Sequence, residues 1–279
     1  MHRLTLDQVM EQVRNLPALP AVVIELLALF NSGDADPDEI SIRINRDQAL
    51  TAKLLQVANS PFYGLPTKVA IPREAITILG LHNVHTLVMA STLTSSLPAF
   101  QAGWFAPEVF WKHSLSVASC ARLLAGRANL NGDIAFTAGL MHDIGRLALV
   151  ACFPAQYQLV MEHHQSEGCG LLEAEQRLLD FDHTDVGAAL AGRWNFAGAI
   201  QEAVAGHHRR DIAIASLSGL IFAGDAIVQA LDPAGEPNSS MAPLNDAQWA
   251  RLGLAAAEIG PLLDEIEAQC AAATATLIA

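Results

Sequence analysis

The stretch Ala135–Val150, AFTAGLMHDIGRLALV, sets an imidazole and a carboxylate, His142 and Asp143, side by side in an otherwise apolar run. Leu140, Met141, Ile144, Leu147, Ala148 and Val150 surround them, and the pattern reads as a buried helix. Polar groups in such a place lose their hydration, so an ion pair, a set of hydrogen bonds or a metal ion must offset the loss.

Outward from this stretch the helical pattern covers nearly the whole chain. PAVVIELLALFNSG predicts a helix after Pro20 that stops near Asn31–Gly33. Asp36 and Pro37 then supply an N-cap and a first helical position. QALTAKLLQVA runs to a break at Ser60–Pro61, and PREAITILG and NVHTLVMASTLTSSL are two helices separated by Gly80. Further helices are expected over 107–126, 132–151, 154–165, 170–180, 183–194, 197–208 and 214–231. Asp232–Asp246 reads as a linker before an Ala-rich terminal helix. Strand-like alternation is rare, so the expected fold class is all-α. Two packed helical bundles are expected, 1–106 and 107–279, joined near Pro98–Glu108. ANSPFYG is expected to pack among the amino-terminal helices through Phe62 and Tyr63.

Of the 279 residues 52% are hydrophobic and 16% charged, ample for a sizeable core. The net charge of -13 argues against broad binding to nucleic acid or anionic membrane, and Arg43, Arg46 and Lys53 are too scattered for a groove reader. Cys120, Cys152, Cys169 and Cys270 form no CxxC pair and read as reduced, mostly buried thiols. No uninterrupted apolar run reaches about 18 residues and the amino terminus lacks a secretory pattern, so a cytoplasmic protein is expected. Phosphate loops, dinucleotide fingerprints and a serine nucleophile elbow are all missing from the sequence.

The histidines cluster: seven of the ten lie from His113 to His208. His113, His142 with Asp143, His183, and His207 with His208 fall on separate helical segments, and Asp225 adds a carboxylate in another. Each has an ordinary reading by itself: a hydrogen-bonded core histidine, a local pair, a helix-end charge. Together they fit a bundle-core metal site built from inward side chains on facing helices. Imidazole with carboxylate suits Fe, Mn, Zn, Co or Ni, and two such ions sharing one carboxylate can activate water and clamp a phosphoryl oxygen. His82, His85, His163 and His164 lie near polar positions and are weak ligand candidates, while Glu173 and Glu175 read first as solvated helix charges and second as residues supporting a ligand from behind.

The order His113, His142–Asp143, Asp225 resembles the H…HD…D pattern of the HD superfamily of metal-dependent phosphohydrolases. LPALPAVVIELLALF, ISIRINRDQALTAKLLQVANSPFYG and IPREAITILGLHNVHTLV resemble the HDOD family, from about Leu16 to about Leu231. That family is a relative of HD-GYP cyclic-dinucleotide phosphodiesterases of bacterial signalling proteins. The resemblance implies a signal-transduction module acting through a protein partner, with a retained metal site. The alternative it implies is a phosphohydrolase acting on a nucleotide or phosphodiester. His113, His142, Asp143 and Asp225 would hold one divalent metal. His183 with His207 or His208 would hold a second, bridged by Asp143, while Arg146 would orient a phosphate. Two departures stand out: RRDIA follows the paired histidines where the relatives carry GYP, and Arg146 stands where they carry a lysine. The resemblance implies neither nucleic acid nor membrane as partner.

Overall fold

The computed structural model describes residues 4–16, 19–32, 36–59, 65, 67–96, 103–209, 213–232, 244–252 and 256–278. Among these there is no strand, and the fold is all-α. Phe62 and Tyr63, and most of the linker expected from Asp232, lie outside the described residues. The helices run α1 Leu6–Asn15, α2 Ala21–Ser32, α3 Pro37–Ile44, α4 Gln48–Ala58, α5 Pro72–Ser96, α6 Pro107–Arg127, α7 Gly132–Met141 and α8 Ile144–Cys152. They continue as α9 Pro154–Glu167, α10 Leu171–Leu179, α11 His183–Arg193, α12 Gly198–Gly206, α13 Leu217–Leu231, α14 Asp246–Arg251 and α15 Ala256–Ile278.

The chain divides into two compact units, Met1–Pro17 with Leu97–Cys270, and Ala18–Ser96 with Ala271–Ala279. This differs from a division at residue 106 in the place of α1, of residues 97–106 and of residues 271–279. Val9 and Val13 are buried as α1 packs on α11 and α8, and the Arg193 guanidinium donates to the carbonyls of Arg14 (3.3 Å) and Leu16 (3.4 Å).

In the smaller unit the helix starts follow the sequence. Asp36 accepts from Asp38 N at 3.0 Å with Pro37 behind it, and Asp47 caps α4 through Ala49 N (2.9 Å) and Leu50 N (3.0 Å). Gly80, at φ 77°, kinks α5 where two helices were expected; a side chain there would be strained in that left-handed conformation. Leu26, Ile40, Ile44, Leu54, Val57 and Ile76 form the core. His85 belongs to it as well, stacked on Phe30 with ring centroids 4.5 Å apart, although it lies near polar positions in the sequence.

In the larger unit α6 packs against α7 and α13, α8 against α11, and α11 against α12. The expected single helix over 132–151 is two. Asp143, at φ -99° and ψ 12°, turns the chain between α7 and α8. The turn lets α8 begin flush against α11: a Cβ on Gly145 would meet His183 O at 1.9 Å and Gly187 N at 2.6 Å. By length and composition Gly132–Cys152 is apolar enough to cross a membrane, although no uninterrupted apolar run reaches about 18 residues. It occupies the middle of the bundle instead, with 89% of its most apolar window buried. The four cysteines are free thiols, and only Cys120 is fully buried.

Candidate metal centre

Each ligand candidate stands at a helix end or on an inward face. His113 lies on α6 and Asp225 on α13; His142 and Asp143 form the α7–α8 turn; His183 is the first residue of α11; His207 and His208 follow α12. Asp182 starts α11 in a capping box with Asp185, which fixes the direction in which His183 leaves the backbone. Asp143 occupies an N-cap position yet makes no side-chain cap, so both its oxygens face the centre of the bundle.

The groups converge in two clusters whose ligand atoms lie within 4.8 Å of one another: Asp143, His183, His207 and His208, and His113, His142 and Asp225. Asp143 joins them. Its Oδ1 lies 3.3 Å from His183 Nε2 and 3.5 Å from His207 Nε2, while its Oδ2 lies 3.6 Å from His142 Nε2. In the second cluster His113 Nε2 is 3.2 Å from Asp225 Oδ1, which also accepts from Gln229 Nε2 at 2.7 Å. His183 Nε2 and His208 Nε2 are 3.1 Å apart.

The proton positions follow from the acceptors. His142 Nδ1 donates to Gly139 O at 2.7 Å and His207 Nδ1 to Val204 O at 2.7 Å, so their Nε2 atoms carry lone pairs. Both Nε2 atoms are buried, point into the clusters and have no hydrogen-bond partner. Orphaned imidazole lone pairs grouped around a carboxylate are what a divalent cation satisfies, so the donor set fits a metal.

Burial lowers the His142 pKa to about 4, against the opposing pull of Asp143. Burial by itself would raise the Asp143 carboxyl, but His142, Arg146, His183 and His207 together hold it well below the carboxylate range. Asp225 is similarly held at about 2: burial is outweighed by the His113 hydrogen bond and neighbouring imidazoles. His183 is pushed up to about 10, because Glu175 and Asp143 outweigh its burial. These values set a pH profile for metal-free protein. As pH falls from the ordinary histidine value of 6.5 to about 4, the unfolded chain binds a proton that native His142 refuses, so stability declines with acid. As pH rises from 6.5 to about 10, native His183 keeps a proton that the unfolded chain has released, so stability declines with alkali. Urea melts of chelator-treated protein should therefore be most stable near neutrality, and His183→Gln should flatten the alkaline limb. A limb unchanged in that variant would refute the assignment.

Two residues differ from their sequence readings. Glu175 is fully buried, whereas Glu173 is exposed and pairs with Arg177. Glu175 Oε2 accepts from His183 Nδ1 at 2.6 Å and from His183 N at 3.1 Å, and its Oε1 accepts from Tyr157 at 2.5 Å. The signal was present: Glu175 lies four residues from both Leu171 and Leu179, on the apolar face of α10. Arg146, expected to orient a phosphate, is 3% exposed and donates to Asp143 Oδ2 at 2.7 Å, with its guanidinium 5.8 Å from the Phe110 ring centroid. It stands beside the ligand carboxylate, out of solvent. His163 and His164 join neither cluster.

Helices that close around a two-part His/Asp centre define an HD-type bundle. The HDOD domain family matches residues 16–210, and the chain belongs to that family. A crystal structure of an HDOD domain protein from Geobacter sulfurreducens has the same fold, with 24% identity, a TM-score of 0.75 and 98% of each chain covered. An uncharacterised protein of Treponema pallidum is 23% identical over 71% of this chain and 38% of its own length. Ribonuclease Y of Fervidobacterium nodosum is 31% identical over 41% of this chain and 17% of that enzyme. The chain thus spans less than two-fifths of the length of these curated relatives.

Proposed function

We propose that this chain is a bacterial regulatory module of the HDOD family with a retained two-metal centre, which transmits a signal through contact with a protein partner. The observation that carries the metal reading is the pair of clusters joined through the two oxygens of Asp143. His113, His142, Asp143 and Asp225 would hold one divalent ion, and Asp143, His183, His207 and His208 the other. Fe, Mn, Zn, Co and Ni all accept this donor set. Bound there, such ions supply Lewis acidity toward an oxygen-rich ligand such as a nucleotide phosphate. Gly139 O, Val204 O and Glu175 hold the Nδ1 protons that leave each Nε2 free to ligate. Arg146 offsets the charge of Asp143. With Arg146 so engaged, the cation to which the sequence reading gave the phosphate is not presented to a substrate, which favours regulation over turnover.

The second reading, a metal-dependent phosphohydrolase, is favoured by the shared carboxylate, because two adjacent ions suit phosphoryl chemistry. The likeness to ribonuclease Y makes a phosphodiester the substrate class to try first. The net charge of -13 weighs against a long polyanion. Metal-loaded protein should be incubated with phosphomonoesters, cyclic dinucleotides, linear dinucleotides and RNA. The regulatory reading expects retained metal and no turnover; metal-dependent hydrolysis of any of these would replace it with the second.

A further inference from the structure

We infer that Glu175, backed by Tyr157, is a positioning residue for His183 and sets the metal affinity of the Asp143–His183–His207–His208 position selectively. The inference rests on the metal reading above and assigns work to two residues outside the ligand set. The three ligand imidazoles with a described Nδ1 partner are oriented in two different ways. His142 and His207 follow a helix and donate Nδ1–H to a carbonyl three residues earlier, Gly139 O and Val204 O, so their own helices aim them. His183 is the first residue of α11, and three residues before it Asp180 is left-handed at φ 67°. No preceding helical turn offers it a carbonyl, so its acceptor has to come from another helix. Glu175 on α10 is that acceptor. Its Oε2 takes both the ring Nδ1–H and the backbone N–H of His183, which fixes tautomer and ring plane together.

The carboxylate is itself held. Tyr157 on α9 donates to Glu175 Oε1, and both residues are fully buried, so the pair has little room to rotate. Every described hydrogen bond of Glu175 is thus spent on His183 or on the hydroxyl that steadies it. His183 Nε2 is left facing Asp143 Oδ1 and His208 Nε2. Both described contacts of Glu175 with a ligand go to His183, which is why its effect should fall on one metal position; Tyr157 also meets Arg146, the partner of the shared Asp143, so its own effect is less selective.

The test strips the full-length protein with chelator and titrates it with Co2+, following heat and visible absorption. Wild-type protein should show two binding events, and the event lost in His113→Ala identifies the other position. Glu175→Gln should weaken only the event that survives in His113→Ala, by about 10- to 100-fold, and change its absorption band. Tyr157→Phe should weaken the same event to a smaller degree. If Glu175→Gln does not fold, Glu175→Asp, which keeps the charge but draws it back from His183, carries the test, and a weakening confined to that event supports the inference. Unaltered events, or equal weakening of both, would overturn it. Absence of any event in wild-type protein would instead overturn the metal reading beneath it.

Discussion

Asp143→Asn should empty both metal positions at once. One carboxylate serves both clusters, with Oδ1 near His183 and His207 and Oδ2 near His142. An amide of the same shape carries no charge and offers one nitrogen that donates toward imidazole lone pairs. It also leaves Arg146 in the bundle core without its carboxylate, and breaking a buried ion pair from one side costs about 3–5 kcal/mol. The variant should therefore melt below the metal-free wild type and show no response to chelator. Wild-type protein should lose stability on chelation, because the ions bind the assembled site and not the unfolded chain. Equal metal content and equal melting in the two proteins would contradict this.

Gly145→Ala should be about as damaging, for a reason independent of any metal. The added methyl group would fall 1.9 Å from the carbonyl oxygen of His183 and 2.6 Å from the nitrogen of Gly187. Both obstacles are backbone, so relief requires α8 to move away from α11. Overpacking of this kind costs about 1–3 kcal/mol where side chains can adjust, and more where they cannot. We expect a loss of at least about 3 kcal/mol in denaturant unfolding, together with weakened binding at the position that includes His183. A stable variant with unchanged metal affinity would mean that the α8–α11 contact does not set the ligand geometry.

Much of this was legible in the residues, and the failures have physical causes. The helices, the Asp36 and Asp47 starts and the Gly80 break follow from capping chemistry and apolar spacing, which act locally. The convergence of His113, His142, Asp143, His183, His207, His208 and Asp225 was visible because such residues are rarely buried without a shared purpose. The turn at His142–Asp143 was not visible, because its cause is a backbone contact between Gly145 and a helix far along the chain. The engagement of Arg146 with Asp143 was hidden for a similar reason. The sequence shows a cation beside the HD pair, but only the turn decides that it points at Asp143 rather than outward. Glu175 was read first as a solvated charge and only second as a residue supporting a ligand, although its spacing placed it with Leu171 and Leu179. A carboxylate on an apolar helix face warrants a search for the group it serves.

The account stands most directly on metal stoichiometry. Protein purified without chelator, and the same protein stripped and reloaded with Mn2+, Fe2+ or Zn2+, should be measured by elemental analysis beside its melting temperature. The proposed two-metal centre predicts two transition-metal ions per chain, one for each cluster, and a melting temperature that falls on stripping and recovers on reloading. A chain that holds no ion in either preparation, and whose melting temperature is the same throughout, would contradict it.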